Sequence, residues 1–262
     1  MSSLHILQVF LCANMLIPKG QASSSLLPLQ SLLLHCRVKD SLCTLTVQHH
    51  FHNSSPSPIE CTFKLPVPID WAVSSLRIIK DDGTVLKAVV KDKEAALEDY
   101  SDSISSGMSA YMGNTTGDRE MELSLGNIAS RTGIKTELGL VFPLKCTGRS
   151  WLLRLPEWLL PDWELPLQTV TVAQFQSLSE ERRKGVMAFT LEMQQSTPML
   201  SLTSTTHNLD ILYLEDRLQV NIALGSALTP SKVGICVEFR TSEDFHPRLQ
   251  TQYDSISFVT KS

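Results

Sequence analysis

The sequence predicts a mainly β protein with one amphipathic helix, and three observations support this fold class. Apolar and polar side chains alternate over many short segments from Leu29 onward, which is the period of a half-buried strand. Turn residues separate these segments. The period becomes helical at one place, residues 91–106. With 262 residues, 42% apolar and 19% charged, the chain can bury a large core.

The clearest alternation is Leu42–His52, which we predict to be a half-buried strand. The side chains expected on its core face are Cys43, Leu45, Val47, His49 and Phe51. The other face carries Thr44, Thr46, Gln48, His50 and His52. His49 is thus expected to be a core histidine.

Further strands are expected in both halves of the chain. A Ser- and Pro-rich turn over residues 53–58 follows the first strand, and Asp81-Asp82-Gly83 is typical of a hairpin turn. The remaining predicted strands are Glu60–Leu65, Val73–Lys80, Thr84–Val90, Glu120–Leu125, Lys135–Phe142, Gly185–Met193, Met199–Ser204, Arg217–Leu224, Gly234–Arg240 and Ser255–Thr260.

The single helix is predicted over Lys91–Ser106, a segment that contains neither Pro nor Gly. Ala96, Tyr100 and Ile104 recur at four-residue spacing, so we expect them on its buried face. Gly107 is a typical residue to end a helix.

Four segments make up the predicted domain organisation. Residues 1–25 form a leader, residues 26–147 a first β-rich unit, residues 148–166 a connector and residues 167–262 a second β-rich unit. The connector contains Trp151–Pro166, with three Trp and three Pro residues. Because tryptophan is costly to leave in water, we expect this connector to pack against a surface.

Composition excludes several classes of protein. The net charge of −4 and the absence of a basic stripe argue against nucleic-acid binding. The six cysteines form no C-x-x-C pair, so buried free thiols are favoured over disulfides, which stay possible. Those cysteines are Cys12, Cys36, Cys43, Cys61, Cys146 and Cys236.

The compartment depends on the apolar stretch Leu4–Ile17, which is shorter than the ~20 residues of a membrane-spanning helix. It could be the core of a signal peptide, but no Lys or Arg precedes it. We therefore expect a cytoplasmic protein without a membrane span, and keep secretion as the alternative. The glycosylation sequons at Asn53 and Asn114 matter only in the secreted case.

Two sequence patterns resemble sets of metal ligands, and we expect neither of them to bind a metal ion. Asp99, Ser101 and Ser103 spell D-x-S-x-S, but the preceding residues continue a helix, which points these three side chains in different directions. His50 and His52 share a strand face, but the sequence nominates no further ligands. The sequence contains no hydrolase, P-loop or dinucleotide motif, so we predict no catalytic, cofactor or metal site.

An ordered set of landmarks over residues 28–144 resembles the vault protein inter-alpha-trypsin (VIT) domain. The landmarks are Pro28-Leu29-Gln30-Ser31, Asn53, Pro58, Glu60, Phe63, Leu65-Pro66, Asp70, Ala72, Val73, Gly83, Lys91, Lys93-Glu94-Ala95, Tyr100, Gly107, Ser109-Ala110, Leu125-Gly126-Asn127-Ile128 and Gly133. Met108 and Ser130-Arg131-Thr132 depart from the pattern of the family. The resemblance implies a β-sandwich that carries one helix.

Within this family the chain is similar to the von Willebrand factor A domain-containing members, in which an adhesion domain follows. We expect the chain to end before that domain, as a fragment, a truncated product or a short paralogue. The resemblance implies a non-enzymatic scaffold that binds protein partners. The alternatives are a secreted heavy-chain-like partner of matrix or inhibitor proteins and a hydrolase with an unrecognised triad.

Overall fold

The fold was analysed in a computed structural model of the chain. The structure describes residues 17–18, 29–88, 93–108, 110–115, 120–160, 168–170, 172–179, 181–224, 233–242, 248–252 and 255–259. Most of the predicted leader, residues 1–25, therefore lies outside the described residues. Cys12 and Thr116 also lie outside them.

Strands dominate the described residues, so the prediction of a mainly β fold is confirmed. The strands are β1 (Ile17–Pro18), β2 (Leu29–Lys39), β3 (Leu42–His52), β4 (Ile59–Pro66), β5 (Ala72–Lys80), β6 (Val85–Lys87), β7 (Ala110–Thr115), β8 (Glu120–Ile128), β9 (Gly133–Pro143), β10 (Lys145–Thr147), β11 (Ser150–Leu155), β12 (Gln168–Val170), β13 (Val186–Gln194), β14 (Met199–Thr203), β15 (Leu209–Leu214), β16 (Gln219–Leu224), β17 (Ile235–Thr241), β18 (Arg248–Gln252) and β19 (Ser255–Val259). The helices are α1 (Lys93–Ser105) and α2 (Val172–Ser177), and short 3-10 turns lie at Glu157–Leu159, Glu181–Arg183 and Glu215–Arg217.

A nine-stranded sheet runs through both halves of the chain. Its order is β15-β16-β13-β2-β3-β9-β5-β6, and β12 also pairs with β13. The halves meet where β13 pairs in parallel with β2, from Val186 opposite Ser31 to Gln194 opposite Lys39. Strands from the two predicted units thus share one sheet, while the predicted boundaries themselves stay a prediction.

Two smaller sheets of four strands accompany the large one, with the orders β1-β4-β8-β7 and β10-β11-β17-β14. The main apolar core contains buried residues of all three sheets, and a smaller cluster consists of Phe175, Val186 and Ala188. Phe51, Phe189 and Phe239 are among its largest fully buried side chains. The strands β18 and β19 form a separate two-stranded sheet.

The predicted connector contains a strand that the sequence analysis did not assign. Within it, β11 pairs antiparallel with β17, so this segment is part of a sheet. Trp151 and Trp158 are partly buried against the core, as expected of tryptophans in a packed segment. Trp158 also lies against Trp71, with ring centroids 6.0 Å apart.

The alternation in β3 has the predicted effect on burial. All five side chains that we expected on its core face are buried. The hairpin turn at Asp81-Asp82-Gly83 also forms, because Gly83 adopts a φ of 83° and Asp82 Oδ1 accepts a 2.8 Å hydrogen bond from the Thr84 amide. β6 is shorter than predicted, since it ends at Lys87, and residues 89–90 lie outside the described part.

The buried histidine of β3 makes folding sensitive to acid. His49 is 1% exposed, its Nδ1 lies 3.4 Å from Thr136 Oγ1, and its ring stacks on Phe51. Burial lowers the pKa of His49 from 6.5 to about 3. Between these two values the unfolded chain binds a proton that the folded chain does not, so the folded state loses stability as the pH falls.

We expect the free energy of unfolding to fall by about 1.4 kcal/mol for each pH unit lost in this window because of His49. The measurement is urea denaturation at several pH values, compared with His49→Gln. Burial also lowers the pKa of His35 and His207, so the stability of His49→Gln should still fall with pH. Its loss of stability per pH unit should be smaller than that of the wild type by the contribution of His49. Parallel curves for the two proteins would contradict this assignment.

Candidate functional site

A glycine on β8 allows α1 to pack closely on the sheet β1-β4-β8-β7. A Cβ atom at Gly126 would overlap Ile104 Cδ1 and would lie 2.8 Å from the Tyr100 hydroxyl oxygen. Tyr100 and Ile104, predicted on the buried face of the helix, therefore do face the sheet. Any larger residue at Gly126 would move the helix away.

The neighbouring residue Asn127 fixes the end of α1. Its backbone adopts a φ of 50°, a conformation that asparagine tolerates better than most residues. From there Nδ2 donates to the carbonyl oxygen of Met108 at 3.0 Å and to that of Ile104 at 3.4 Å. The Gly-Asn pair thus positions the helix, which gives this VIT landmark a physical role.

Asn53 connects the turn after β3 to the end of β8. Its side chain is fully buried, and Nδ2 donates to the carbonyl oxygens of Ser57 at 3.2 Å, Ile128 at 3.0 Å and Ala129 at 2.9 Å. Its Oδ1 accepts a 2.9 Å hydrogen bond from the amide of Ser55. Sequence analysis identified this residue only as a turn residue, a sequon and a family landmark.

The two metal patterns lie where the sequence placed them. Asp99, Ser101 and Ser103 all lie within α1, where residues two apart point in different directions. His50 and His52 lie on β3, opposite Lys135 and Gly133 of β9. Over the part of the chain that the structure describes, no three His, Cys, Asp or Glu side chains are grouped as metal ligands would be.

The five described cysteines are free thiols. Cys36, Cys43 and Cys61 are buried, whereas Cys146 and Cys236 are partly exposed. Burial raises the pKa of Cys61 to about 12, with a smaller contribution from the charge of Glu60, and burial also raises that of Cys43. Since the thiolate is the reactive form, these two cysteines are poor nucleophiles.

The outer edge of the nine-stranded sheet presents apolar side chains to solvent. β15 pairs with β16, and it lies at the end of the strand order. Leu209, Ile211 and Tyr213 of this strand pack against the core. Leu212 is 57% exposed and Leu214 38% exposed on the alternate positions. An edge strand of this kind can pair with another extended segment.

No helix among the described residues is long and apolar enough to cross a membrane.

Comparison with known proteins identifies relatives for most of the chain. Residues 29–140 match the vault protein inter-alpha-trypsin domain family. A von Willebrand factor A domain-containing protein of Dictyostelium discoideum is 30% identical over 110 residues, which are 42% of this chain and 12% of that protein. Protein mono-ADP-ribosyltransferase PARP4 of Homo sapiens is 21% identical over 231 residues, 87% of this chain and 13% of that protein.

A third relative is von Willebrand factor A domain-containing protein 5A of Rattus norvegicus. It is 28% identical over 148 residues, which are 55% of this chain and 18% of that protein. The chain thus spans less than a fifth of the length of each of these three relatives. The family match covers residues 29–140, the part of the chain that holds the helix positioned by Gly126 and Asn127, and this segment is similar to a vault protein inter-alpha-trypsin domain.

Proposed function

We propose that the chain is a non-catalytic module that binds an extended segment of a protein partner along the outer edge of β15. The observation that carries this proposal is the exposure of Leu212 and Leu214 on a six-residue strand at the end of the sheet. Among the described residues β15 pairs only with β16. Main-chain hydrogen bonds to its outer edge would therefore supply affinity, and alternate side chains would supply specificity. The resemblance to VIT and von Willebrand factor A domain-containing proteins supports a role in protein interaction.

The side chains of β15 indicate the chemistry of the partner. Leu212 and Leu214 favour apolar residues at alternate positions of the bound segment, since pairs of apolar side chains on one face of neighbouring strands stabilise a sheet. Asp210 is exposed on the same face, so a basic residue opposite it is favoured. The partner is therefore an extended segment with apolar residues at every second position and one basic residue beside them.

The proposed compartment is the cytoplasm, with secretion as the alternative. Free cysteines support the cytoplasmic assignment, because disulfides are typical of oxidising compartments. We also propose that the chain is not an enzyme. The chain aligns with only 13% of PARP4, so the activity named for that protein is not transferred to this chain.

Site-specific photo-crosslinking in cells tests the proposed edge. A photoreactive amino acid is placed at Asp210 of the full chain, and the matched control carries it at Asp102, which is exposed on α1 and not on a strand. We expect a discrete adduct from position 210 that is absent from position 102. Leu212→Lys should abolish the adduct, since a charge at the edge prevents apolar pairing.

Two results would contradict the proposal. One is the same set of adducts from both positions, which would indicate nonspecific contact. The other is an adduct from position 210 that persists in Leu212→Lys. An adduct to a second copy of the chain would replace the proposed partner by self-association.

A further inference from the structure

We infer that the native fold excludes a glycan on Asn53, although Asn53-Ser54-Ser55 is an acceptor sequon, so that glycosylation of this residue and folding are mutually exclusive. This inference concerns a modification site and does not depend on the proposed partner. It rests on the burial and hydrogen bonds of one side chain.

The acceptor atom is already engaged by the protein. Glycosylation forms a bond between Nδ2 and the first carbon of a sugar, while the bond from that carbon to the diphosphate of a lipid-linked donor breaks and Nδ2 loses one proton. In the fold, the two hydrogens of Nδ2 serve three carbonyl oxygens, those of Ser57, Ile128 and Ala129. A sugar on Nδ2 would remove one hydrogen and collide with these oxygens.

Turning the Asn53 side chain outward would cost it the hydrogen bonds that hold it in place. It has no exposed surface, and its own backbone amide donates to the carbonyl oxygen of Thr132 at 2.9 Å. Its Oδ1 is held by the amide of Ser55 at 2.9 Å. Swinging the amide into solvent would break all of these side-chain bonds and leave buried carbonyl oxygens without donors, which is costly.

Because of where Asn53 lies, a glycan on this residue would disrupt the whole fold. Asn53 follows the end of β3 in the nine-stranded sheet. Two of its acceptors are Ile128, the last residue of β8 in a smaller sheet, and Ala129, which follows it. A glycan would therefore separate the two sheets where the chain passes between them. We expect loss of the fold and not a local change.

The test directs the full chain to the endoplasmic reticulum with an added signal peptide. Thr116→Ala removes the second sequon from all versions, so that any glycan reports on Asn53. Ser55→Ala is the key variant, because it destroys the sequon but keeps Asn53 and the backbone amide of residue 55. Ser55→Thr is the matched control, since it keeps the sequon. Glycosidase-sensitive mass reports modification, and resistance to a brief protease treatment reports folding.

We expect glycan-bearing chains to lose protease resistance, and Ser55→Ala to be resistant in the same compartment. A wild-type chain that folds first and stays unmodified and resistant would also support the inference, because the fold then shields Asn53. The inference fails if glycan-bearing chain is as resistant as Ser55→Ala, or if Ser55→Ala is as sensitive as glycan-bearing wild type.

Discussion

Asn53→Asp should lower the free energy of unfolding by about 3–5 kcal/mol, which is a large part of the stability of a typical domain. The substitution preserves the shape of the side chain and replaces its donor group by an oxygen. The carbonyl oxygens of Ser57, Ile128 and Ala129 would then face a buried carboxylate instead of an amide. Repulsion among these oxygens adds to the cost of burying an unpaired charge.

Chemical denaturation at neutral pH measures this effect. The matched control is Asn208→Asp, which makes the same chemical change at an exposed loop position. We expect the control to change stability by less than about 0.5 kcal/mol. Similar losses in both variants would mean that added charge, and not the connection made by Asn53, is responsible.

Phe189→Ala is the second change expected to be severe, at about 3–5 kcal/mol, because it leaves a cavity in the core. Phe189 is fully buried on β13 and lies opposite Leu34 of β2, which is also fully buried. The lost side chain therefore lies where the two halves of the chain pair. We expect unfolding to remain a single transition that moves to lower denaturant concentration.

The control for this variant is Leu200→Ala. Leu200 is 58% exposed, so its truncation should cost well under about 1 kcal/mol. The prediction would be contradicted by a Phe189→Ala protein that unfolds in two steps, with the transition of β2 and β3 left at its original position.

The strands that could be predicted from the sequence are those in which apolar and polar residues alternate along the strand itself. In β3, apolar and polar residues alternate from Cys43 to Gln48, so its buried face follows from the sequence. β15 was missed because Leu-Asp-Ile-Leu-Tyr-Leu places apolar residues on both faces, which obscures the period. β11 was missed because it begins a Trp- and Pro-rich segment that is typical of a connector.

Contacts between residues that are far apart in the sequence could not be predicted from the sequence alone. Arg37 of β2 and Glu192 of β13 are partners across the junction of the two halves and are 155 positions apart in the sequence. The hydrogen-bond acceptors of Asn53 are similarly distant, 75 and 76 positions away for Ile128 and Ala129. No local pattern encodes such contacts, so the shared sheet and the role of Asn53 emerged only from the structure.

The pairing of β2 with β13 joins the two halves of the chain into one sheet, which we expect to unfold cooperatively. Native-state hydrogen exchange followed by mass spectrometry tests it directly, because it measures the free energy of opening for each strand. We expect equal opening free energies for β2 and β13, and we expect both to fall together in Phe189→Ala. This expectation would be contradicted if the amides of β13 exchange through a much cheaper opening while those of β2 remain protected.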